Sequence, residues 1–345
     1  MLTEDRMLDE LRLLVVVDNE TDTLSSIGEG IPQTPEVVQQ LPRIAATRTH
    51  AGHPCKVVFD RLCCAGHGFS VLVTGRRGDR QRTMLFDVGP YADLWLANAA
   101  RLGIDLATIE LVFLSHWHSD HSGALAHVVA AVAEARRKAG VDAPVLVDLH
   151  PDRPDQRGIL LPNGTMIMLA PEPTFEAVES AGGRVVKSAK GHPLCDSFFF
   201  GSGQIDRLTE YETGLVGHHS FRGEAGTEDP LILDERYVAA QVRGRGVTLL
   251  SACSHAGVVN AALGAQAAFG DPVDLLLGGY HLSGKAMEAR IEKTVRDLRE
   301  RIRPRIVAPG HCTGWRAKVA LAHAFAPDHY GPSAVGAAYT LRGPG

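Results

Sequence analysis

LSHWHSDHSG, Leu114–Gly123, is the stretch on which the reading of this chain turns. Its three histidines and one aspartate fall between His116 and His121, directly behind the apolar run Leu111–Leu114. Neutral imidazole and carboxylate are good ligands for zinc and related divalent ions. His116 and His118 stand two apart, so an extended backbone points both the same way. After a turn, Asp120 and His121 can reach a second position nearby. The rival reading is a polar loop with incidental histidines, and this spacing right behind a buried strand argues against it. The loop is therefore read as a metal site carried at a strand end by a rigid scaffold.

The flanking sequence supports such a scaffold. Leu11–Asp18 is a β-branched run that reads as a strand. Phe69–Thr74 and Thr83–Asp87 read as two strands joined by the polar turn GRRGDRQR. Tyr91–Leu102 has helical spacing, and Ser122–Lys138 reads as a helix with Ser122 as its N-cap. Val145–Leu149 is a further strand. Residues 236–242 and 247–251 read as paired strands around an RGRG turn, followed by a helix near 257–269 and a strand at Val273–Leu277. Lys285–Arg301 carries Met287, Ile291, Val295, Leu298 and Ile302 three or four apart, the pattern of one amphipathic helix. The strand Arg305–Ala308 runs into Pro309-Gly310-His311. Residues 20–64 are mixed and read as an insertion or lid on a single domain spanning 1–345. Residues 150–235, rich in Gly, Pro and Asp, read as irregular active-site loops with short strands.

Composition narrows the function classes. The 345 residues are 45% hydrophobic and 22% charged, an ordinary soluble profile. A net charge of −5, with no basic stretch interleaved with aromatics, argues against nucleic acid as partner. The basic clusters at Arg76–Arg82 and Arg299–Arg305 read as solvated faces. No run approaches the roughly 18 apolar residues of a membrane span. The opening MLTEDRMLDE is acidic and polar, unlike a secretory signal, so a cytoplasmic location is expected. Six cysteines without paired spacing read as reduced thiols. Neither a phosphate-binding Gly-Lys-Ser/Thr loop nor a Gly-x-Ser-x-Gly elbow is present.

HWHSDH matches the HxHxDH signature of the metallo-β-lactamase superfamily, and the resemblance extends beyond it. In order, VVDN (Val16–Asn19), GHGFS (Gly66–Ser70), LFDVG (Leu85–Gly89), ANAARLGIDL (Ala97–Leu106), SACSHAGVVN (Ser251–Asn260), GGYHLSG (Gly278–Gly284) and PGHCTGW (Pro309–Trp315) resemble one subgroup. That subgroup is the 7,8-dihydropterin-6-methyl-4-(β-D-ribofuranosyl)aminobenzene-5′-phosphate synthase-like enzymes. The resemblance covers residues 11–19 and roughly 65–318; residues 20–64 and the C-terminal tail look particular to this chain. It implies an α/β (α+β) chain folded as an αββα sandwich with one or two divalent metal ions, zinc first and manganese or iron next. His116 and His118 would serve one ion, Asp120 and His121 the other. Asp87 would orient a ligand histidine. His311 fits the last ligand position. His255 stands where relatives often carry a bridging aspartate, with helix capping as its alternative. Cys253 faces the site or is simply a buried free thiol. His281 is a candidate for contact with substrate or metal, with a packed strand-end histidine as its alternative; His67 and Cys253 are candidates for contact with substrate, while His192, His218 and His219 carry no assignment. Gln204 and Asp206 replace the subgroup's Glu and Pro in GSGQIDRLTEYE (Gly201–Glu212), which withholds any role of that Glu.

The expected function is metal-dependent hydrolysis of a small molecule by metal-bound hydroxide, because a divalent ion lowers the pKa of bound water to about 7. The alternatives are a condensation at the same metals, as the subgroup's name suggests, and a non-catalytic metal or ligand sensor. The oligomeric state is left open.

Overall fold

Alternation along the central strands sends apolar side chains to both faces. In the computed structural model, which describes residues 7–344, Ser70–Arg77 and Arg80–Phe86 form the expected hairpin. Val71, Val73, Met84 and Phe86 enter one core, whereas Leu85 enters another. Both faces of the sheet must therefore be covered. The same division holds across the molecule in Gly246–Ser251, where Leu250 faces the shared core and Val247 and Leu249 face outward.

Two sheets result. The first has eight strands in the order Gly183–Lys187, Val145–Leu149, Leu111–Phe113, Arg80–Phe86, Ser70–Arg77, Glu10–Val17, Ala338–Arg342 and Gln33–Thr34. The second has six, in the order His192–Leu194, Phe199–Gly201, Val238–Val242, Gly246–Ser251, Val273–Gly279 and Ile306–Gly310. Leu13, Phe86, Phe113, Leu275 and Ile306 fill the space between them. Helices Ala92–Leu102 and Leu125–Lys138 cover the first sheet through Trp95, Val128 and Val132. Helices Val258–Phe269, Ile291–Asp297 and Trp315–Phe325 lie on the second, contributing Val259, Ala262 and Leu321 to its outer core. This is an αββα sandwich, as expected.

Some elements differ from the sequence reading. The helix expected over Ser122–Lys138 is split into Ser119–Ser122 and Leu125–Lys138. Between them Gly123 presses on the loop after Arg80–Phe86, where a β-carbon would lie 2.4 Å from the Pro90 carbonyl oxygen. Ser122 is not an N-cap, because its hydroxyl donates to buried Glu172. Lys285–Arg301 is likewise broken into Lys285–Glu288, Ile291–Asp297 and a wide final turn, Leu298–Ile302. Its apolar residues still face the core, since a spacing of three or four residues survives a local widening of the turn. The stretch 150–235 contains a separate four-stranded sheet, ordered Met166–Met168, Gln156–Leu160, His218–Arg222 and Ala225–Glu228. Short and partly exposed, these strands lack the alternation that marks a half-buried strand. Within 20–64, Gln33–Thr34 joins the first sheet's edge and Arg48–His50 pairs with His53–Cys55. The C-terminal tail supplies the strand Ala338–Arg342 beside Glu10–Val17. Residues 1–6 of the opening acidic segment lie outside the described residues. Among those described, no helix is long and apolar enough to cross a membrane, and all six cysteines are free thiols.

One side chain ties the two sheets together beneath the histidine loop. The buried Arg236 guanidinium donates to Asp148 Oδ1 and to the Leu114 carbonyl, both at 2.7 Å, and lies over the Phe113 ring at 4.2 Å. Replacing it would leave the buried Asp148 carboxylate with His192 as its remaining side-chain partner, at 2.7 Å. Arg236→Ala is expected to cost about 3–5 kcal/mol, the usual effect of breaking a buried pair. Urea denaturation followed by circular dichroism checks it, and a midpoint equal to wild type would contradict it.

Candidate metal centre

Each loop that carries candidate ligands leaves the end of a strand and is pinned by a buried carboxylate accepting its backbone N–H groups. Asp87 Oδ1 accepts from Ser115 N at 2.7 Å, and Asp234 Oδ2 from Trp117 N at 2.8 Å. Glu235 accepts from His255 N at 2.8 Å and from Ala256 N at 2.6 Å. Asp18 Oδ1 accepts from His311 N at 2.7 Å. Asp234 is itself paired with buried Arg157 at 2.6 Å. Charge-assisted bonds of this kind are short and strong, and they fix loops that would otherwise be mobile.

The same surroundings set the histidine tautomers, which follow from the partners of each outer nitrogen. Ser115 Oγ donates to Asp87 Oδ2 at 2.8 Å and so accepts from His116 Nδ1, also at 2.8 Å. His121 Nδ1 donates to Asp87 Oδ2 at 2.7 Å. His311 Nδ1 donates to Asn19 Oδ1 at 3.0 Å. His218 Nδ1 donates to the Asp229 carbonyl at 2.6 Å, so its Nε2 accepts from His118 Nε2 at 2.9 Å. Four nitrogens are thereby left facing inward: His116 Nε2, His118 Nδ1, His121 Nε2 and His311 Nε2. His116 Nε2 and His118 Nδ1 are only 3.0 Å apart. His311 Nε2 and His121 Nε2 lie 3.3 and 3.6 Å from Asp120 Oδ2, and His311 Nε2 is buried without a hydrogen-bond partner. Nitrogens and a carboxylate crowded this closely need positive charge among them, a proton or a cation. The donor set thus fits divalent metal.

Electrostatics agree. Burial pushes His116 and His118 well below the ordinary histidine pKa, so they are neutral. Burial acts on His121 in the same direction, but the Asp120 and Asp87 carboxylates outweigh it and lift it to about 9. Asp120 is held far below the carboxylate range: His121 and His311 more than offset its burial. The two carboxylates draw positive charge to this point, and bound metal would supply that charge in place of a proton.

The structure brings His116, His118, Asp120, His121, His255 and His311 into one cluster. His255 Nε2 is 3.2 Å from His118 Nδ1, but its Nδ1 is buried with no partner, so no neighbour fixes its tautomer. Cys253 lies at the centre, with its sulfur 3.1 Å from His121 Nε2 and within 4.8 Å of both ligand groups, Asp120–His121–His311 and His116–His255. His281 lies beside His255 with its ring tilted by 54°, ring centroids 4.3 Å apart. His67 is exposed; it accepts from Asn19 Nδ2 at Nδ1, which leaves Nε2–H facing Asp120 Oδ2 at 3.5 Å as a donor. His192 pairs with Asp148 instead. Sequence reasoning missed His218, Asn19, Asp18, Asp234, Glu235 and Cys312. VVDN and PGHCTGW flagged three of these as motif residues without assigning them a role. His218, Asp234 and Glu235 carried no local signal.

The cluster forms the floor of an open cleft of about 960 Å³. One wall is apolar, with Tyr91, Ile159, Leu169, Pro171 and Leu215. Its rim also carries Ser283, and Gly314 and Lys318 at the start of helix Trp315–Phe325. Within 20–64, Glu20 is the residue that borders the cleft, where it pairs with Lys318 at 2.9 Å.

Comparison with known proteins bears on the family and the fold. The model of the metallo-β-lactamase superfamily matches residues 65–232. A Methanocaldococcus jannaschii protein named 7,8-dihydropterin-6-methyl-4-(β-D-ribofuranosyl)-aminobenzene-5′-phosphate synthase is 25% identical over 277 residues, or 76% of this chain and 86% of that protein. The crystal structure of a metal-dependent hydrolase of the β-lactamase superfamily superposes with a TM-score of 0.65 at 23% identity, covering 96% of this chain and 98% of the other. The metallo-β-lactamase fold protein YhfI from Bacillus subtilis gives 0.50 at 10% identity, covering 96% and 100%. Residues 65–232 belong to the metallo-β-lactamase superfamily, and the chain as a whole has that superfamily's fold.

Proposed function

We propose that this protein is a metal-dependent hydrolase of a small molecule, working in the cytoplasm without nucleic acid or membrane as partner. The observation that carries the reading is the convergence of four inward-facing imidazole nitrogens and Asp120 on the floor of an open cleft. His116 and His118, with His255, would hold one divalent ion; Asp120, His121 and His311 would hold a second. Zinc suits this donor set best, with manganese or iron next. Such ions activate water and polarise the bond under attack. The chain's own residues do the rest. Asp120 is too acidic to serve as a base at neutral pH, so it supplies charge and orientation. His67 Nε2–H, beside Asp120, donates to the substrate. The apolar wall excludes water from one side of the cleft.

A second reading is a condensation at the same centre. It is favoured by the M. jannaschii relative and by the cleft, whose apolar wall suits a flat ring and whose Lys318 rim suits a phosphate. Supplying a dihydropterin and an aminobenzene riboside phosphate, and analysing the products, separates this reading from turnover of generic phosphodiesters or lactones.

Three outcomes are expected. Metal analysis of the purified protein should find one or two divalent ions per chain; none after reconstitution with zinc, manganese or iron would refute the proposal. His116→Ala and Asp120→Ala should each abolish turnover while circular dichroism stays unchanged, since ligands on loops contribute little to the core. His255→Ala should remove one metal equivalent and spare the other, as isothermal titration would read; full metal content would exclude His255 as a ligand.

A further inference from the structure

Gly246–Ser251, Val273–Gly279 and Ile306–Gly310 are neighbouring parallel strands that end nearly level: Ser251 pairs with Gly278, and Gly279 with Gly310. Two residues beyond the last residue of each stand Cys253, His281 and Cys312. The register therefore delivers two thiols and an imidazole to one place. Both sulfurs and a ring nitrogen of His281 lie within 4.8 Å of one another. Cys312 Sγ is 3.5 Å from the Cys253 carbonyl. The backbone is shaped for this approach. Ser254, His281 and His311 are non-glycine residues at φ 60°, 44° and 44°. At Gly279 a β-carbon would meet the Ala252 carbonyl oxygen at 2.4 Å and Cys312 Sγ at 2.7 Å.

A buried cysteine usually packs as a small apolar side chain. Cys253 does not, because the groups around its sulfur are the nitrogens and carboxylate of the metal cluster. A thiol is a weak hydrogen-bond donor and satisfies such neighbours poorly. His281 Nδ1 is likewise buried with no partner.

We infer that Cys253, Cys312 and His281 form a sulfur-bearing metal position contiguous with the histidine–aspartate cluster, sharing Cys253 with it, and that this position takes a thiophilic divalent ion such as zinc, cobalt(II) or cadmium. The inference rests on the cleft being a metal centre. Thiolate ligands favour such ions over magnesium or calcium.

The test loads the full-length, reduced protein anaerobically with cobalt(II) and records its absorption. A thiolate-to-cobalt charge-transfer band in the near ultraviolet is expected, and Cys312→Ser and Cys253→Ser should each weaken it at least about twofold. X-ray absorption of the zinc-loaded protein should show sulfur at about 2.3 Å. If Cys253→Ser fails to fold, the Cys312→Ser variant carries the test, because Cys312 lies on the cleft wall. Cobalt bound with ligand-field bands alone, or a full-strength band in Cys312→Ser, overturns the inference while leaving the metal centre standing. Failure of wild type to bind either ion overturns both.

Discussion

Four carboxylates taken out of water hold this site together. Asp18, Asp87, Asp234 and Glu235 are all buried, and each accepts backbone N–H groups from a loop bearing candidate ligands. A buried carboxylate is costly unless its lone pairs are satisfied. Here the satisfying donors are the loops themselves, so each loop has one conformation in which the carboxylate beneath it is paired. Asp87 shows the coupling most directly. One of its oxygens accepts from Ser115 N, while the other accepts from Ser115 Oγ and His121 Nδ1. A single side chain thus fixes the loop, the tautomer of His121 and, through Ser115, that of His116.

The carboxylates reach the loops from different parts of the fold. Asp87 lies just past a strand of the first sheet, and Asp234 and Glu235 just before one of the second. Asp18 follows the strand Glu10–Val17 and holds His311 from 293 residues away in sequence. His218, on the small third sheet, holds His118. The site therefore exists only where three sheets meet. Substituting a clamp should loosen metal binding without touching a ligand atom, as outer partners of metal-bound histidines commonly do.

This arrangement also explains how much could be read beforehand. His116, His118, Asp120 and His121 are neighbours in sequence, so local spacing exposed them. Each strand that feeds a ligand loop was legible from its apolar run, and the sandwich followed from the alternation of such runs with helical spacing. What stayed hidden were contacts joining distant segments. His218 sits 100 residues from His118, in a stretch whose short, partly exposed strands gave no periodic signal. Cys312 was visible as a residue but not as a neighbour of Cys253, because that proximity comes from the register of three parallel strands. The breaks at Gly123 and after Glu288 went unseen because apolar spacing records a helix face and not its continuity.

The interior of the cleft gathers groups of like character, unlike the buried pairs that support it. Elsewhere buried opposite charges and polar groups meet in pairs: Arg236 with Asp148, Arg157 with Asp234, Trp95 Nε1 with Ser70 Oγ. In the cluster, the outer nitrogens of His116, His118, His121 and His311 are all engaged and the inner ones face each other. A chain selected for stability alone would place apolar side chains there. Local rules fail in this way where function requires it. An ion bound among the inward nitrogens would supply the missing favourable term and bind the folded state alone, so its affinity adds directly to folding stability. The clamps and the ion then act on one equilibrium: the carboxylates hold the ligands converged before metal arrives, and the metal removes the repulsion that convergence creates.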